Sequence, residues 1–381
     1  LALLVAFVAS LHISIAAAEI LLTATLLAWV AVLVRDGVRP SAPRFFAPLL
    51  VYAALTLVAS AFSIDAAESF ADSKQLLLLL VVPAVYDLAR GRRALKVLDV
   101  IVTVGAVSAA FGIVQYGLLH YDNLGRRPDG ALTHYMTYSG VLMLAVCAAA
   151  ARLVFGSRDR TWPALVMPAL VVALAVTLTR SALVGAAVAV GLLFALRDLR
   201  LTALLPVGMA VALALAPDSV TTRMMSVFDL QDPSSRDRVE MLRIGAGIVR
   251  DYPLTGIGPN MVPRIYPEYR GPDAVNRVNP HLHNVPMQIA AERGLPALGA
   301  WIWFVVLLTT TLFRLFRGAA VAGEAPGAGS SAGDRVLPAA ALAAVAAMLA
   351  AGLFEYNFGD SEFLMLFLVM ATLPFAAARG D

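Results

Sequence analysis

Long apolar runs alternate with short polar segments along almost the whole chain. A helix that crosses a bilayer needs about 20 mostly apolar residues, and many of the runs approach or reach that length. Because only helices and closed barrels satisfy their backbone polar groups inside lipid, the pattern predicts an all-α polytopic membrane protein. We predict about twelve transmembrane helices, at residues 1–12, 16–34, 45–62, 75–89, 97–118, 133–155, 162–179, 181–197, 200–216, 295–315, 335–353 and 362–378.

One long hydrophilic stretch, residues 217–294, interrupts this pattern. It has room for a small helical cap outside the membrane. The chain therefore divides into predicted helices 1 to 9 over residues 1–216, a long outer loop and cap over 217–294, and helices 10 to 12 over 295–381. Gly, Ala and Ser dominate residues 318–333, which predicts a flexible cytoplasmic linker.

Composition and charge agree with this division. The chain is 60% hydrophobic and only 14% charged. If both termini are cytoplasmic, the inner loops hold 16 of the 29 basic residues and the short outer loops hold four, which is the asymmetry that cytoplasmic loops normally show. We expect no cofactor and no nucleic-acid partner, since the net charge is only +3 and the chain has no GxGxxG, P-loop, HExxH or paired cysteines.

The first part of the outer segment predicts an amphipathic helix. Ser234 to Asp237 form a capping-box pattern, and a helix from there to about Arg250 has one apolar face. That face consists of Val239, Leu242, Ala246 and Val249. Arginines flank it at positions 236, 243 and 250 on one side and 238 on the other. They fit snorkelling toward lipid headgroups, or an anion-binding cradle beneath the cap, and the two interpretations are compatible for different arginines.

Two histidines, His281 and His283, precede a second predicted helix. Asn284 is a good N-cap and Gly294 a good stop, so the helix runs from about Val285 to Arg293. The free N–H groups at its start favour an anion such as pyrophosphate and disfavour an imidazolium. His283 is therefore expected to be neutral and able to act as a general base toward a hydroxyl group.

Two other interpretations of this pair stay open. The histidines could be surface polar residues that only cap the helix. They could also belong to a zinc site, although His-x-His lacks a clear third ligand nearby, Glu292 being a weak candidate.

Arg180 is the second candidate for chemistry. It lies between two apolar runs, where an arginine either snorkels to the interface or borders an internal cavity beside an anion. Arg126, Arg127 and His134, in and just after another outer loop, could line the same cavity.

Four stretches together resemble the O-antigen ligase family and its relatives, the O-antigen polymerases and bacterial protein O-oligosaccharyltransferases. They are Thr179 to Ala182, Arg238 to Leu242 leading into Pro253 to Gly258, His281 to Asn284, and Glu292 to Pro296. The sequence departs from the family at Leu242, since a tryptophan often follows the loop arginine there.

The resemblance implies a membrane-embedded, GT-C-like glycosyltransferase in the bacterial inner membrane. Ligases of this kind move O-antigen glycan from undecaprenyl pyrophosphate to a sugar hydroxyl of lipid A–core at the periplasmic face, with inversion and without a metal. By this resemblance His283 maps onto the base that activates the acceptor. Arg180 and Arg238, with Arg236 as a neighbour, are expected to bind the pyrophosphate, and His281 and Asn284 to make weaker contacts.

The acceptor is not fixed by these residues. A polymerase or a protein O-oligosaccharyltransferase of the same superfamily is the alternative enzyme. A transporter of lipid-linked glycan is the alternative outside enzymes, but a transporter carries its charges near the membrane midplane, whereas these cluster in an outer loop.

Overall fold

The computed structural model describes residues 1–156, 160–226, 232–272, 274–324 and 335–380, and these parts of the chain are helices joined by turns and short loops. Within these residues, three 3₁₀ helices also occur, at Ser73–Leu80, Leu199–Ala203 and Asn357–Gly359. The α-helices are α1 Ala2–Ser10, α2 Ile15–Asp36, α3 Phe46–Ala61, α4 Ala66–Asp72, α5 Val81–Leu88, α6 Arg93–Gly117, α7 Tyr135–Phe155, α8 Thr161–Val176, α9 Arg180–Arg197, α10 Leu204–Leu215, α11 Asp218–Met225, α12 Pro233–Asp251, α13 Val262–Tyr269, α14 Val285–Glu324, α15 Val336–Gly352 and α16 Ser361–Ala377.

The predicted all-α class is confirmed for the described residues. Six helical stretches among them are long and apolar enough to cross a membrane: Ile15–Asp36, Ala66–Leu88, Arg93–Gly117, Tyr135–Phe155, Arg180–Arg197 and Val285–Ala319. Each of the twelve predicted segments overlaps at least one helix. The segments outside these six stretches coincide with helices that are shorter. The count of twelve crossings therefore stays a prediction.

Helices α7, α15 and α16 form the centre of the bundle, and most of their residues are buried. Helix α15 consists largely of alanine, and it packs against α9 and α7. A side chain at Gly185 of α9 would press against the Ala347 backbone carbonyl, so these two helices approach at backbone distance. Small residues allow this close packing, which drives helix association where there is no water to exclude.

Helices α12 and α13 pack on each other around a separate hydrophobic cluster. Its members include Met241, Ile244 and Ile248 of α12 and Tyr266 of α13. The predicted helix is observed as Pro233–Asp251, and Val239 and Leu242 of its predicted apolar face are exposed. The predicted cap was wrong by two residues, because the Asp232 side chain accepts the N–H groups of Ser234 and Ser235.

Helix α14 covers both a predicted short helix and the start of the predicted linker. The predicted helix from Val285 and its stop at Gly294 are confirmed, since Gly294 breaks the helix with φ 79° and ψ 168°. The predicted linker over 318–333 begins too early, because α14 continues to Glu324 through alanines that favour helix. Residues 325–333 of that linker lie outside the described residues.

Candidate active site

His283 is held at the start of α14 by the local sequence. Asn284 caps the helix, its side-chain oxygen accepting the Met287 N–H at 2.9 Å. His283 itself has φ 47°, a left-handed conformation that costs a β-carbon residue roughly 1 kcal/mol or more. The Gln288 side chain stabilises this turn by accepting the Leu282 N–H at 2.6 Å. The imidazole is therefore presented from a rigid, strained turn.

Glu355 joins the two histidines. Its carboxylate lies in the loop after α15, 2.9 Å from His283 Nδ1 and 3.7 Å from His281 Nε2. The two imidazole rings meet edge to face, with 4.1 Å between their centroids. Sequence analysis missed Glu355, because 72 positions separate it from His283. The only signal was that Glu355 opens a short acidic outer loop.

Burial and neighbouring charges set the protonation of this cluster. Burial lowers the pKa of His281 to about 4, despite the opposing attraction of Glu355. Burial alone would raise the pKa of the Glu355 carboxyl, but the hydrogen bond from His283 and the attraction of both imidazoles bring it below its usual range. At neutral pH, His281 is therefore uncharged and Glu355 is ionised.

The Glu355 carboxylate also selects one tautomer of a neutral His283. An ionised carboxylate can only accept hydrogen bonds, so Nδ1 must be the nitrogen that carries the proton. The opposite nitrogen, Nε2, then holds a free lone pair. A base that a third group orients in this way is the arrangement that nucleophilic enzymes use to activate a hydroxyl.

The same three side chains have a second chemical capacity. Their ligand atoms all lie within 4.8 Å of one another, so His281, His283 and Glu355 could hold a metal ion. The third ligand considered from sequence, Glu292, is not part of this group. It is buried and paired with Arg293 at 2.8 Å.

Beside this cluster lies a cavity of about 280 Å³, which we call the arginine cavity. Arg180, the first residue of α9, is buried in its wall and donates to Ser226 and to Asp232 at 3.0 and 3.3 Å. Arg238 of α12 lines it too, and is fixed by Ser234 Oγ at 2.9 Å. The structure therefore brings together two of the three arginines singled out in the sequence.

Two further arginines line the same cavity. Arg223 of α11 lies 3.5 Å from Asp232, and Arg127 stacks over the Tyr135 ring at 4.2 Å. Arg127 was one of the residues that the sequence suggested for a shared cavity with Arg180, whereas Arg223 was not. In contrast, the predicted Arg236 is exposed on α12 and is not among the residues that line this cavity.

Positive charge is in excess in the arginine cavity. Among the described residues, four arginines and only two carboxylates line it. Burial, and then repulsion from Arg180, lowers the pKa of Arg223, and burial likewise lowers the pKa of Arg127 and Arg238. Such a desolvated cluster is stabilised by an anion that can accept several guanidinium hydrogen bonds, and phosphate groups suit that geometry.

A second cavity of about 240 Å³, the histidine groove, adjoins the first, and both are lined by Arg180 and Arg238. His283 and Asn284 also line the groove, but most of its surface is apolar. The apolar lining residues are Val184, Val239, Leu242, Leu282, Leu353 and Phe354. Val239 and Leu242, which belong to the predicted apolar face of α12, thus line an apolar groove.

The remaining sequence motifs form a structural contact that we call the glycine clasp, residues 253–258 against 291–295. Ile257 N–H donates to Ala291 O at 3.0 Å, and Leu295 N–H donates to Pro253 O at 2.8 Å. A side chain at Gly294 would overlap the Leu254 carbonyl, so the backbones approach as only glycine permits. These glycines serve chain packing and do not line the cavities.

Part of the chain matches a known protein family. A family model described as O-antigen ligase matches residues 164–302, which include Arg180, Arg238, His283 and the glycine clasp. The resemblance inferred from the four sequence stretches is thus confirmed over that part of the chain. A search of the curated proteins finds no match.

Proposed function

Because residues 164–302 match the O-antigen ligase family, we propose that the protein is a glycosyltransferase of lipopolysaccharide assembly. It moves O-antigen glycan from undecaprenyl pyrophosphate to a sugar hydroxyl of lipid A–core. The observation that carries this proposal is the pairing of His283 with Glu355 at 2.9 Å beside a cavity with excess arginine. A base and an anion site side by side are what transfer from a pyrophosphate to a hydroxyl requires.

The reaction is a single displacement at the anomeric carbon of the donor sugar. His283 Nε2 takes the proton of the acceptor hydroxyl while the oxygen of that hydroxyl attacks the anomeric carbon. The bond from the carbon to the pyrophosphate oxygen breaks, and the pyrophosphate leaves with the bonding electron pair. Glu355 holds the imidazole in place and stabilises the imidazolium that forms. A positioned general base contributes roughly 10²–10⁴-fold to such a step.

The arginine cavity is assigned to the pyrophosphate. Arg180 and Arg238 bind it in the ground state and stabilise the charge that the leaving group gains, as preorganised donors do. Arg127 and Arg223 widen the site so that both phosphates can be contacted. We assign no contact to Arg236, which is exposed.

The histidine groove is assigned to the start of the prenyl chain. Arg180 and Arg238 line both this groove and the arginine cavity, so a lipid pyrophosphate can place its head in one and its first isoprene units in the other. We further propose that the segment 217–294 and the catalytic cluster face the periplasm and that both termini are cytoplasmic. The distribution of basic residues supports this orientation.

We also propose that transfer is independent of metal. His283 with Glu355 supplies the base, and four arginines supply the charge that a divalent cation provides to leaving phosphates in other enzymes. Since the histidines and Glu355 could also ligate a metal, the experiment must include a chelator.

Purified protein in detergent tests the proposal when it is given undecaprenyl-pyrophosphate glycan and three acceptors in parallel. The expected result is transfer to lipid A–core, in the presence of a chelator and without any membrane gradient. Transfer only to a second donor molecule identifies a polymerase, and transfer only to a Ser or Thr peptide identifies a protein O-oligosaccharyltransferase. No transfer in detergent, together with movement of donor across proteoliposomes, contradicts an enzyme and identifies a transporter.

A further inference from the structure

A third cavity of about 200 Å³ lies on the other side of Glu355. We call it the acidic cavity, since the Glu355 and Asp360 carboxyl groups line it. The remaining polar lining consists of the His134 and His281 imidazoles, the Tyr356 ring and Asn357. Among the residues that line it there is no arginine or lysine, which distinguishes it from the arginine cavity.

These walls suit a neutral polyhydroxylated ligand. The oxygens of both carboxyl groups can accept hydrogen bonds, the ionised Glu355 can only accept them, and a saccharide offers many hydroxyl donors. The ionised Glu355 repels phosphate, so the pyrophosphate of the donor has no favourable place here. The Tyr356 ring, 6.0 Å from the His281 ring, adds a flat face for the apolar side of a sugar ring.

The polar groups of the acidic cavity are fixed before any ligand binds. Asp360 caps α16 by accepting the Phe363 N–H at 2.9 Å, and it also accepts the Thr137 hydroxyl. The Glu355 carboxylate accepts the N–H of the next residue in its loop, Tyr356, at 3.0 Å. Groups held in this way lose little conformational entropy when they bind a ligand, so a preorganised site gains affinity.

The order of the three cavities gives the acidic cavity its role. The arginine cavity shares Arg180, Ser181 and Arg238 with the histidine groove, but it shares Met136 and Glu355 with the acidic cavity. The groove and the acidic cavity share no lining residue. The arginine cavity therefore lies between them. A ligand in the acidic cavity therefore adjoins the anion site at Glu355, the residue that orients His283.

We propose that the acidic cavity binds the acceptor saccharide, with His134 at its exposed rim and Asp360 in its wall as the residues that recognise sugar hydroxyls. This inference rests on the proposed function, because it names the acceptor subsite of the same reaction. The saccharide binds beside the arginine cavity, and its reacting sugar extends past Glu355 to His283, which lines the histidine groove.

The kinetic test uses purified full-length protein and varies one substrate at a time. His134→Ala removes an exposed side chain, and Asp360→Asn removes the carboxyl group while keeping an amide oxygen that can still cap α16. The expected result is an increase of about tenfold in KM for lipid A–core, with KM for the donor unchanged, since one or two hydrogen bonds to the acceptor are lost.

The matched control is His120→Ala, an exposed histidine that lines none of the three cavities. An unchanged acceptor KM, or an increase confined to the donor KM, overturns the inference.

A binding test separates this inference from the proposed function. The probe is the core oligosaccharide released from lipid A–core, titrated into the protein without donor, so that no transfer occurs. Wild type and His120→Ala are expected to bind it, and His134→Ala and Asp360→Asn to bind it about tenfold more weakly. If the transfer assay fails but this pattern is found, the saccharide subsite stands and only the proposed reaction falls. Equal binding by all four proteins, or no binding by wild type, overturns the subsite.

Discussion

The cluster around His283 and the glycine clasp are both built from sequence motifs, and α14 connects them, yet their polar groups behave differently. In the clasp, polar groups contact one another. Backbone N–H groups meet backbone carbonyls, and Glu292 pairs with Arg293 in the interior. Around His283, charged side chains border cavities, and the arginines there outnumber the described carboxylates. A motif indicates chemistry when its polar groups face open space, and indicates packing when they contact each other.

The first prediction separates the two regions by stability. Gly294→Ala places a side chain against the Leu254 carbonyl at a positive φ, and it is expected to destabilise the protein by about 3 kcal/mol or more. The molecules that do fold should keep the wild-type rate of glycan transfer. Thermal unfolding in detergent, with activity per folded molecule, measures both. Gly299→Ala is the control in the same helix, because a side chain there meets nothing within 4 Å. Equal stability of the two variants would show that the clasp is not a close backbone contact.

The second prediction concerns the hydrogen bond that orients the base. Glu355→Gln is expected to lower kcat by about tenfold to a hundredfold, since the amide can donate to His283 Nδ1 and so place the proton on Nε2. The melting temperature should change little. A wild-type kcat in Glu355→Gln, measured at saturating donor and acceptor, would show that the hydrogen bond between His283 and Glu355 does not orient the base.

The third prediction compares two arginines with different surroundings. Arg223→Gln is expected to raise KM for the donor by about tenfold, because Arg223 lines the anion site and is largely buried there. Arg243→Gln should leave it unchanged, since that side chain is exposed and paired with Glu240. Titration of donor in the transfer assay measures both values. Equal KM values for the two variants would remove Arg223 from the site.

The fourth and smallest effect is a pH dependence of stability at His281. Its pKa is about 4 in the folded protein and near 6.5 when unfolded, so the unfolded state binds more protons between these values. Its contribution to stability is therefore complete above about pH 6.5 and is lost as pH falls toward 4. The drop in melting temperature between neutral and acid pH should be smaller in His281→Gln than in wild type. Identical drops would show that His281 is not buried in its neutral form.

The sequence predicted well those features that depend on local pattern. The apolar segments coincide with helices, and Asn284 and Gly294 mark the start and the break of α14 because capping and positive φ have strong residue preferences. The same local argument placed His283 directly before that helix.

Features that depend on distant contacts were missed. Glu355 approaches His283 only because α15 returns the chain to the same end of the bundle. Arg223 shows no periodicity that separates it from the other outer-loop arginines. The second apolar row of α12, which contains Met241 and Ile244, was not recognised, because only its packing against α13 buries it.

The most direct test of the account is glycan transfer by His283→Ala at saturating donor and acceptor. A loss of at least about a hundredfold in kcat is predicted, with donor binding close to that of wild type, because the substitution removes the base and leaves the arginine cavity intact. His120→Ala should transfer at the wild-type rate. Full activity of His283→Ala would contradict the account, and would leave His283 as no more than a neighbour of the helix cap.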